Sequence, residues 1–208
     1  MTTTFTSQAA SADAMINGFS GAEGTNYGTD TAVSGIGEQN NDVGVTKRFL
    51  IKFDLSSIPA SANITSATLS IWIQADYSSN ARDYKVYRIL RNWVEAEATW
   101  NSWKTGSAWT TAGAGSDGND TDLTTAWATT NFTATESVGA EKTFALNTTE
   151  FKKLINGTYT NYGWMIKADT EADDAYLIYT AEEAVETTKR PKLVVEYVVP
   201  LYPYSEIF

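Results

Sequence analysis

The chain has 208 residues, of which 42% are hydrophobic and 12% aromatic, enough to bury a sizeable core in one domain. It contains no Cys and no His, which removes disulfides, thiolate metal sites, thiol nucleophiles, and the commonest general base and zinc ligand. A net charge of −10 without a basic run argues against nucleic acid and anionic membrane surfaces as partners, and a carboxylate-based mechanism, as in glycosidases, is the route to hydrolysis that stays open.

Residues 1–12 read as an N-terminal arm; Met1-Thr2-Thr3-Thr4-Phe5-Thr6 lacks the basic start and apolar stretch of a signal peptide, so either a signal was removed or none was needed. No stretch reaches the roughly 18 apolar residues of a membrane span. Residues 13–198 then read as one β-sandwich module. Phe49, Ile51 and Phe53 alternate with Leu50 and Lys52, and Leu69, Ile71 and Ile73 alternate with Ser70, Trp72 and Gln74, the period of two that marks a strand with one buried face. Further runs rich in β-branched and aromatic residues lie at Tyr84 to Leu90, Lys142 to Leu146, Tyr162 to Lys167, Tyr176 to Thr180 and Lys192 to Val198. One short helix interrupts them: Asn147 can cap it, Glu150 stands where a capping box needs it, Phe151, Leu154 and Ile155 share a face, and Gly157 ends it. The expected fold is all-β, a jelly-roll-like antiparallel β-sandwich with one short helix.

Between these elements, Asn101 to Thr135 is rich in Gly, Thr, Trp and Asp without clean periodicity and reads as a long excursion over the sandwich surface. Trp93 and Trp100 read as plugs of the core beneath it. Trp72 has the opposite parity from Leu69, Ile71 and Ile73 and is expected to face outward beside Ser70 and Gln74. There its indole can stack on a sugar ring or a partner, and Trp103, Trp109 and Trp127 can do likewise unless loops cover them. Asp117, Asn119, Asp120 and Asp122 offer hard oxygens in one turn-prone loop. They suit Ca²⁺, the one cofactor the sequence leaves room for, or a solvated acidic turn. Asp169, Glu171, Asp173 and Asp174 read as a hairpin tip kept soluble by charge. Residues 199–208 form an apolar tail. Pro200 and Pro203 keep it out of a central strand, and Leu201, Tyr202, Tyr204, Ile207 and Phe208 are candidates for docking onto a neighbouring subunit.

An ordered series of motifs carries a family resemblance. Asp13-Ala14-Met15-Ile16 with Asn26-Tyr27-Gly28 comes first, followed by Lys47-Arg48-Phe49-Leu50-Ile51-Lys52-Phe53-Asp54-Leu55-Ser56-Ser57-Ile58-Pro59 and Ile64-Thr65-Ser66-Ala67-Thr68-Leu69. Trp93-Val94-Glu95 with Ala98-Thr99-Trp100-Asn101, Asn161-Tyr162-Gly163-Trp164, and Arg190-Pro191-Lys192-Leu193-Val194-Val195 complete it. The set resembles the DNRLRE-domain family, also classed as carbohydrate-binding module family 96. That resemblance implies a noncatalytic jelly-roll-like sandwich found with extracellular enzymes, surface proteins and adhesins, with glycan binding in some members. An acidic polysaccharide would need local Lys and Arg, or a bound cation, to offset the charge of −10.

The resulting expectation is a noncatalytic structural protein of a virion or particle surface, of the phage capsid or tail decoration type. Its partners are other particle proteins or copies of itself, with a glycan as a further ligand, and its location is virion or extracellular. The alternative is a glycan-binding module working beside a polysaccharide-degrading enzyme.

Overall fold

The computed structural model describes residues 1–8, 10–28, 33–38, 46–78, 80–171, 175–179 and 186–200. These form β1 (Thr2–Gln8), β2 (Ala12–Asn17), β3 (Val33–Glu38), β4 (Thr46–Lys52), β5 (Asn63–Asp76), β6 (Arg82–Ile89), β7 (Ser102–Lys104), β8 (Ser107–Ala108), β9 (Thr121–Phe132) and β10 (Glu141–Ala145). A helix, α1 (Thr148–Ile155), and the strands β11 (Trp164–Ala168), β12 (Ala175–Tyr179) and β13 (Lys192–Val198) follow. Every pairing between these strands is antiparallel, and the fold is an all-β sandwich with a single short α-helix.

The long strand β5 joins the two layers. Its first ten residues pair with β13 and β10, and β13 carries β1 on its far side, giving the first layer β1-β13-β5-β10. The end of β5 pairs with β12 and enters the second layer, β12-β3-β4-β11-β6-β9. β4 carries β2 along one flank, while its other flank meets β3 at Lys47 and β11 from Phe49 to Ile51.

Residues of both layers close the main core: Phe49, Ile51, Phe53, Leu69, Ile71, Ile73, Tyr84, Val86, Trp164 and Ile166 are all fully enclosed. The parity read for β4 and β5 therefore holds, but the single buried face does not, since Leu50, Ser70 and Trp72 of the opposite parity are buried as well. α1 brings Phe151 onto Trp164 in a stacked contact with ring centroids 5.9 Å apart. Asn147 caps that helix as expected, its Oδ1 accepting from the amides of Thr149 at 3.0 Å and Glu150 at 3.1 Å. The capping box is not completed. Glu150 turns to Lys153 Nζ at 2.7 Å and the Tyr159 hydroxyl at 3.2 Å, and the Asn147 amide donates to the Trp127 carbonyl instead.

Two regions depart from the sequence reading. Residues 1–12, taken as an arm, contain β1, which pairs along its whole length with β13 from Thr2↔Val198 to Gln8↔Lys192. The stretch from Asn101 to Thr135, taken as an excursion throughout, is a small hairpin and loop followed by β9, a strand of twelve residues paired with β6. Its alternation is hidden by register shifts: Trp127 and Ala128, neighbours in sequence, both enter the main core, which a strand permits only at a bulge.

Candidate functional site

The outer face of the second layer is where this sandwich departs from a one-sided pattern. On β4, Phe49 and Ile51 enter the main core, while Leu50, of opposite parity, is equally enclosed in a second apolar cluster. That cluster combines Leu50 and Met165 with Ala12, Ala14 and Ile16 of β2 and with Ile89, Trp93, Ala98, Trp109 and Ala114. The segment after β6 thus folds back over the sheet. Trp93 Nε1 ties it to the Tyr162 carbonyl at 2.7 Å, and Trp109 Nε1 donates to the Thr99 carbonyl at 2.9 Å.

Beside this covered patch, the same parity places a polar row on three neighbouring strands: Arg48 on β4, Lys167 on β11 and Lys85 on β6, with Tyr87 next along β6. Lys167 stands opposite Lys85, and Tyr87 opposite Met165. Two carboxylates from the chain following β11 face the row. Glu171 grips Arg48 with Nε to Oε1 at 2.7 Å and reaches Lys167 Nζ at 3.5 Å, and Asp169 stands 3.9 Å from Lys85 Nζ. Arg48 also donates Nη1 to the Gly113 carbonyl at 2.5 Å and lies 5.0 Å from the centroid of the half-buried Trp100 ring.

This packing shifts two ionisable groups. Burial pushes the Lys167 ammonium below the ordinary lysine value; Arg48 adds to the shift and Glu171 opposes it. Burial likewise raises the Tyr87 hydroxyl, helped by the charges of Asp169 and Glu171. The row thus sets three cations against two carboxylates, with Arg48 and Lys167 mostly withdrawn from water and Lys85 the most exposed of the three.

The residues singled out from sequence fall elsewhere. Trp72 has the expected parity, since it stands outside both apolar clusters, but it is not exposed: only 8% of its surface is accessible. Lys192 lies 5.0 Å over its ring and reaches Glu141 at 3.5 Å, so the neighbouring strands β13 and β10 supply a lid. Trp109 and Trp127 are buried outright, the first in the outer cluster and the second in the main core, where it meets Trp164 edge to face at 5.8 Å. The excursion that was to present them folds onto the sheet instead. Trp103 stays half-buried against the outer cluster, with Lys104 Nζ 4.6 Å from its ring.

The acidic loop is dispersed rather than convergent. Asp120 is wholly buried and accepts from the amides of Thr110 at 3.0 Å, Thr111 at 2.9 Å and Ser116 at 3.3 Å, with Arg91 Nε 3.3 Å away. Asp117 accepts from the Leu123 amide at 2.7 Å, Asp122 turns to Arg88 at 3.4 Å, and Asn119 donates to Ser116 Oγ at 3.1 Å. Among the described residues no group of three or more carboxylates is placed to hold a metal ion. The tail residues Leu201, Tyr202, Tyr204, Ile207 and Phe208, with Asp173 and Asp174, lie outside the described residues. Among the described residues no helix is long and apolar enough to cross a membrane.

Residues 22–195 match the family described as Disaggregatase related repeat domain. The chain belongs to that family. The match covers most of the chain and corrects the DNRLRE resemblance: the matching family is the disaggregatase-related repeat. No curated protein matches the chain. Within this disaggregatase-related repeat the polar row went unread from sequence, although parity offered it: Lys85 lies between Tyr84 and Val86, and Lys167 between Ile166 and Ala168, all four of them core residues.

Proposed function

We propose that this protein is a noncatalytic module that binds an anionic polysaccharide, such as a polyuronate, on the outer face of the second layer. One observation carries the reading: a chain of net charge −10 gathers Arg48, Lys167 and Lys85 on three adjacent strands, beside Tyr87 and Trp100. Sugar carboxylates would meet the lysines as point charges and would compete with Glu171 for the planar fork of Arg48, and the half-buried Tyr87 ring would offer a surface to a sugar face. Local charge thus answers the objection raised by the overall charge. The family description relates the domain to a disaggregatase and calls it a repeat, and a polymer-binding repeat is compatible with both words. The particle-surface reading drew in part on two terminal arms; residues 2–8 of one are a strand of their own sheet, and residues 201–208 of the other lie outside the described residues.

The test is calorimetric titration with a polyuronate and with a neutral glucan, on the wild-type chain and on Lys85→Glu. Lys85 is 30% exposed and its partner Asp169 lies at 3.9 Å, so this change reverses a charge without emptying the core. Binding of the polyuronate alone, weakened at least about tenfold in Lys85→Glu and by added salt, is the expected outcome. Equal binding of the neutral polymer, or identical affinity in the variant, overturns the proposal.

A further inference from the structure

A β-sheet edge offers unpaired backbone groups to any strand that meets it, and folded proteins blunt such edges with charge, proline, bulges or cover. Among the described residues, three of the four edges of the two layers are treated in this way. β2 has all six residues buried, and Glu95 Oε1 accepts from the Asp13 amide at 2.6 Å on its outer side. β9 and β10 flank each other, tied by Thr130 Oγ1 to the Thr143 carbonyl at 2.6 Å and by the Asn147 amide to the Trp127 carbonyl at 2.8 Å.

β1 is treated differently. It ends the strand order of the first layer, and among the described residues no strand lies beyond it. Its sequence, Thr2-Thr3-Thr4-Phe5-Thr6-Ser7-Gln8, has no charge and no proline in a chain with 40 charged residues, the sum of 15 Lys and Arg and 25 Asp and Glu. Pairing with β13 keeps it straight, with no register shift over seven residues, and Phe5 packs against the main core to hold it in place. Thr2, Thr4, Thr6 and Gln8 are all exposed. The result is a regular edge with high β-propensity and, among the described residues, none of the usual guards.

We infer that β1 is an interaction surface for a second copy of this chain, the two β1 strands pairing antiparallel about Phe5. Two features select that occupant. The strand is self-complementary about its centre: with Phe5 opposite Phe5, Thr4 falls opposite Thr6 and Thr2 opposite Gln8, all uncharged partners able to pack across strands, with Gln8 Nε2 held by the Thr188 and Arg190 carbonyls of its own chain. Two copies each carrying −10 repel one another wherever charged surfaces meet, and this edge is where their sheets can join without bringing charges together. The joined first layers form one continuous sheet across a twofold axis, an isologous interface that closes and does not propagate.

Because the chain contains no Cys, engineered thiols report this geometry without background. Thr4→Cys and Thr6→Cys chains, mixed and oxidised, should cross-link as a heterodimer faster than either alone, since only the mixture places two thiols directly opposite. Sedimentation of the full chain over about 1 µM to 1 mM should show a reversible dimer. The double variant Thr4→Lys, Thr6→Lys should shift its dissociation constant upward at least tenfold while leaving the melting temperature of the monomer unchanged. A wild-type chain that stays monomeric throughout overturns the inference, as does a lysine variant that dimerises like wild type. A dimer that appears only after residues 201–208 are deleted also overturns it, because the edge would then be occupied by the chain's own tail.

Discussion

Glu171 holds Arg48 by two contacts, Nε to Oε1 at 2.7 Å and Nη2 to Oε2 at 2.8 Å, with both side chains mostly withdrawn from water. The fork occupies the planar face that Arg48 would offer to a sugar carboxylate, so Glu171 acts as an internal competitor for an anionic ligand. Glu171→Gln should therefore have opposite effects on stability and binding. It should destabilise by about 2 kcal/mol, between the values for exposed and buried pairs, because Arg48 keeps its desolvation and loses its partner. It should also tighten polyuronate binding severalfold. Denaturant unfolding and calorimetric titration on the same preparation check both signs, and weaker binding in Glu171→Gln would show that Glu171 helps to hold the ligand and does not compete with it.

Trp72 is predicted to matter for stability and not for binding. Its ring is covered by Lys192 at 5.0 Å, and the Lys192–Glu141 contact spans the strands on either side of it. Trp72→Ala should cost about 2 kcal/mol, below the range for a fully interior tryptophan because the site lies on the outer face of the first layer. Polyuronate affinity should be unchanged. A stable variant with impaired binding would return Trp72 to the role of a sugar platform.

The parts of the fold written in clean alternation were legible from sequence, and those written across a bulge or a doubly covered strand were not. Phe49, Ile51 and Phe53 announce β4 because their cluster is the main core, and the same reading treats Leu50 as surface because nothing local shows the segment around Trp93 and Trp109 returning to cover it. β9 escaped because Trp127 and Ala128 break the period of two, and β2 because burial on every residue leaves no polar face to alternate with. The tryptophans were the wrong guide to the site, since large aromatic area is most often spent inside. The cations were the better one. Lys85 and Lys167 are each flanked by core residues, and Arg48 has the opposite parity from Phe49, so all three point away from the core, but their convergence depends on the order β4-β11-β6, which brings residues 48, 85 and 167 together and which no local pattern reveals.

Asp120 should make the loop around it acid-sensitive. Burial alone pushes its carboxyl upward, but the amides of Thr111 and Thr110, the Thr110 hydroxyl and Arg91 outweigh that and hold it below the ordinary value of 3.8. A folded-state pKa below the unfolded one contributes stability that is fully present above the unfolded value and is lost as pH falls through the folded one. Wild-type stability should thus decline below about pH 4, and Asp120→Asn should flatten that decline. At neutral pH the same variant should be less stable by about 2 kcal/mol, because an amide cannot accept from several donors at once as the carboxylate does. Unfolding curves of both chains from pH 7 to pH 3 decide it, and parallel pH profiles would mean that other carboxylates govern acid unfolding.

Gly163 is the backbone position on which the polar row most depends. It lies just before β11 at φ 78°, and a Cβ built there would stand 2.2 Å from the Ile51 carbonyl oxygen, a distance no real contact reaches. Its carbonyl accepts from the Ile89 amide at 3.0 Å, and its amide donates to Asn161 Oδ1 at 3.1 Å, while Asn161 Nδ2 in turn holds the Phe53 carbonyl at 2.8 Å. One residue thus fixes the entry of β11 between β4 and β6, the strands that carry Arg48 and Lys85. Gly163→Ala combines left-handed strain with a backbone clash and should cost about 3 kcal/mol or more. Gly21→Ala is the matched control: its φ is 91°, yet nothing lies within 4 Å of the added methyl, so it meets strain alone and should cost about 1 kcal/mol. Because the clash at Gly163 can be relieved only by moving β11 away from β4, the Gly163 variant should also bind polyuronate more weakly at temperatures where it remains folded. Equal melting temperatures for the two variants would show that the approach of Gly163 to Ile51 is looser than its geometry states.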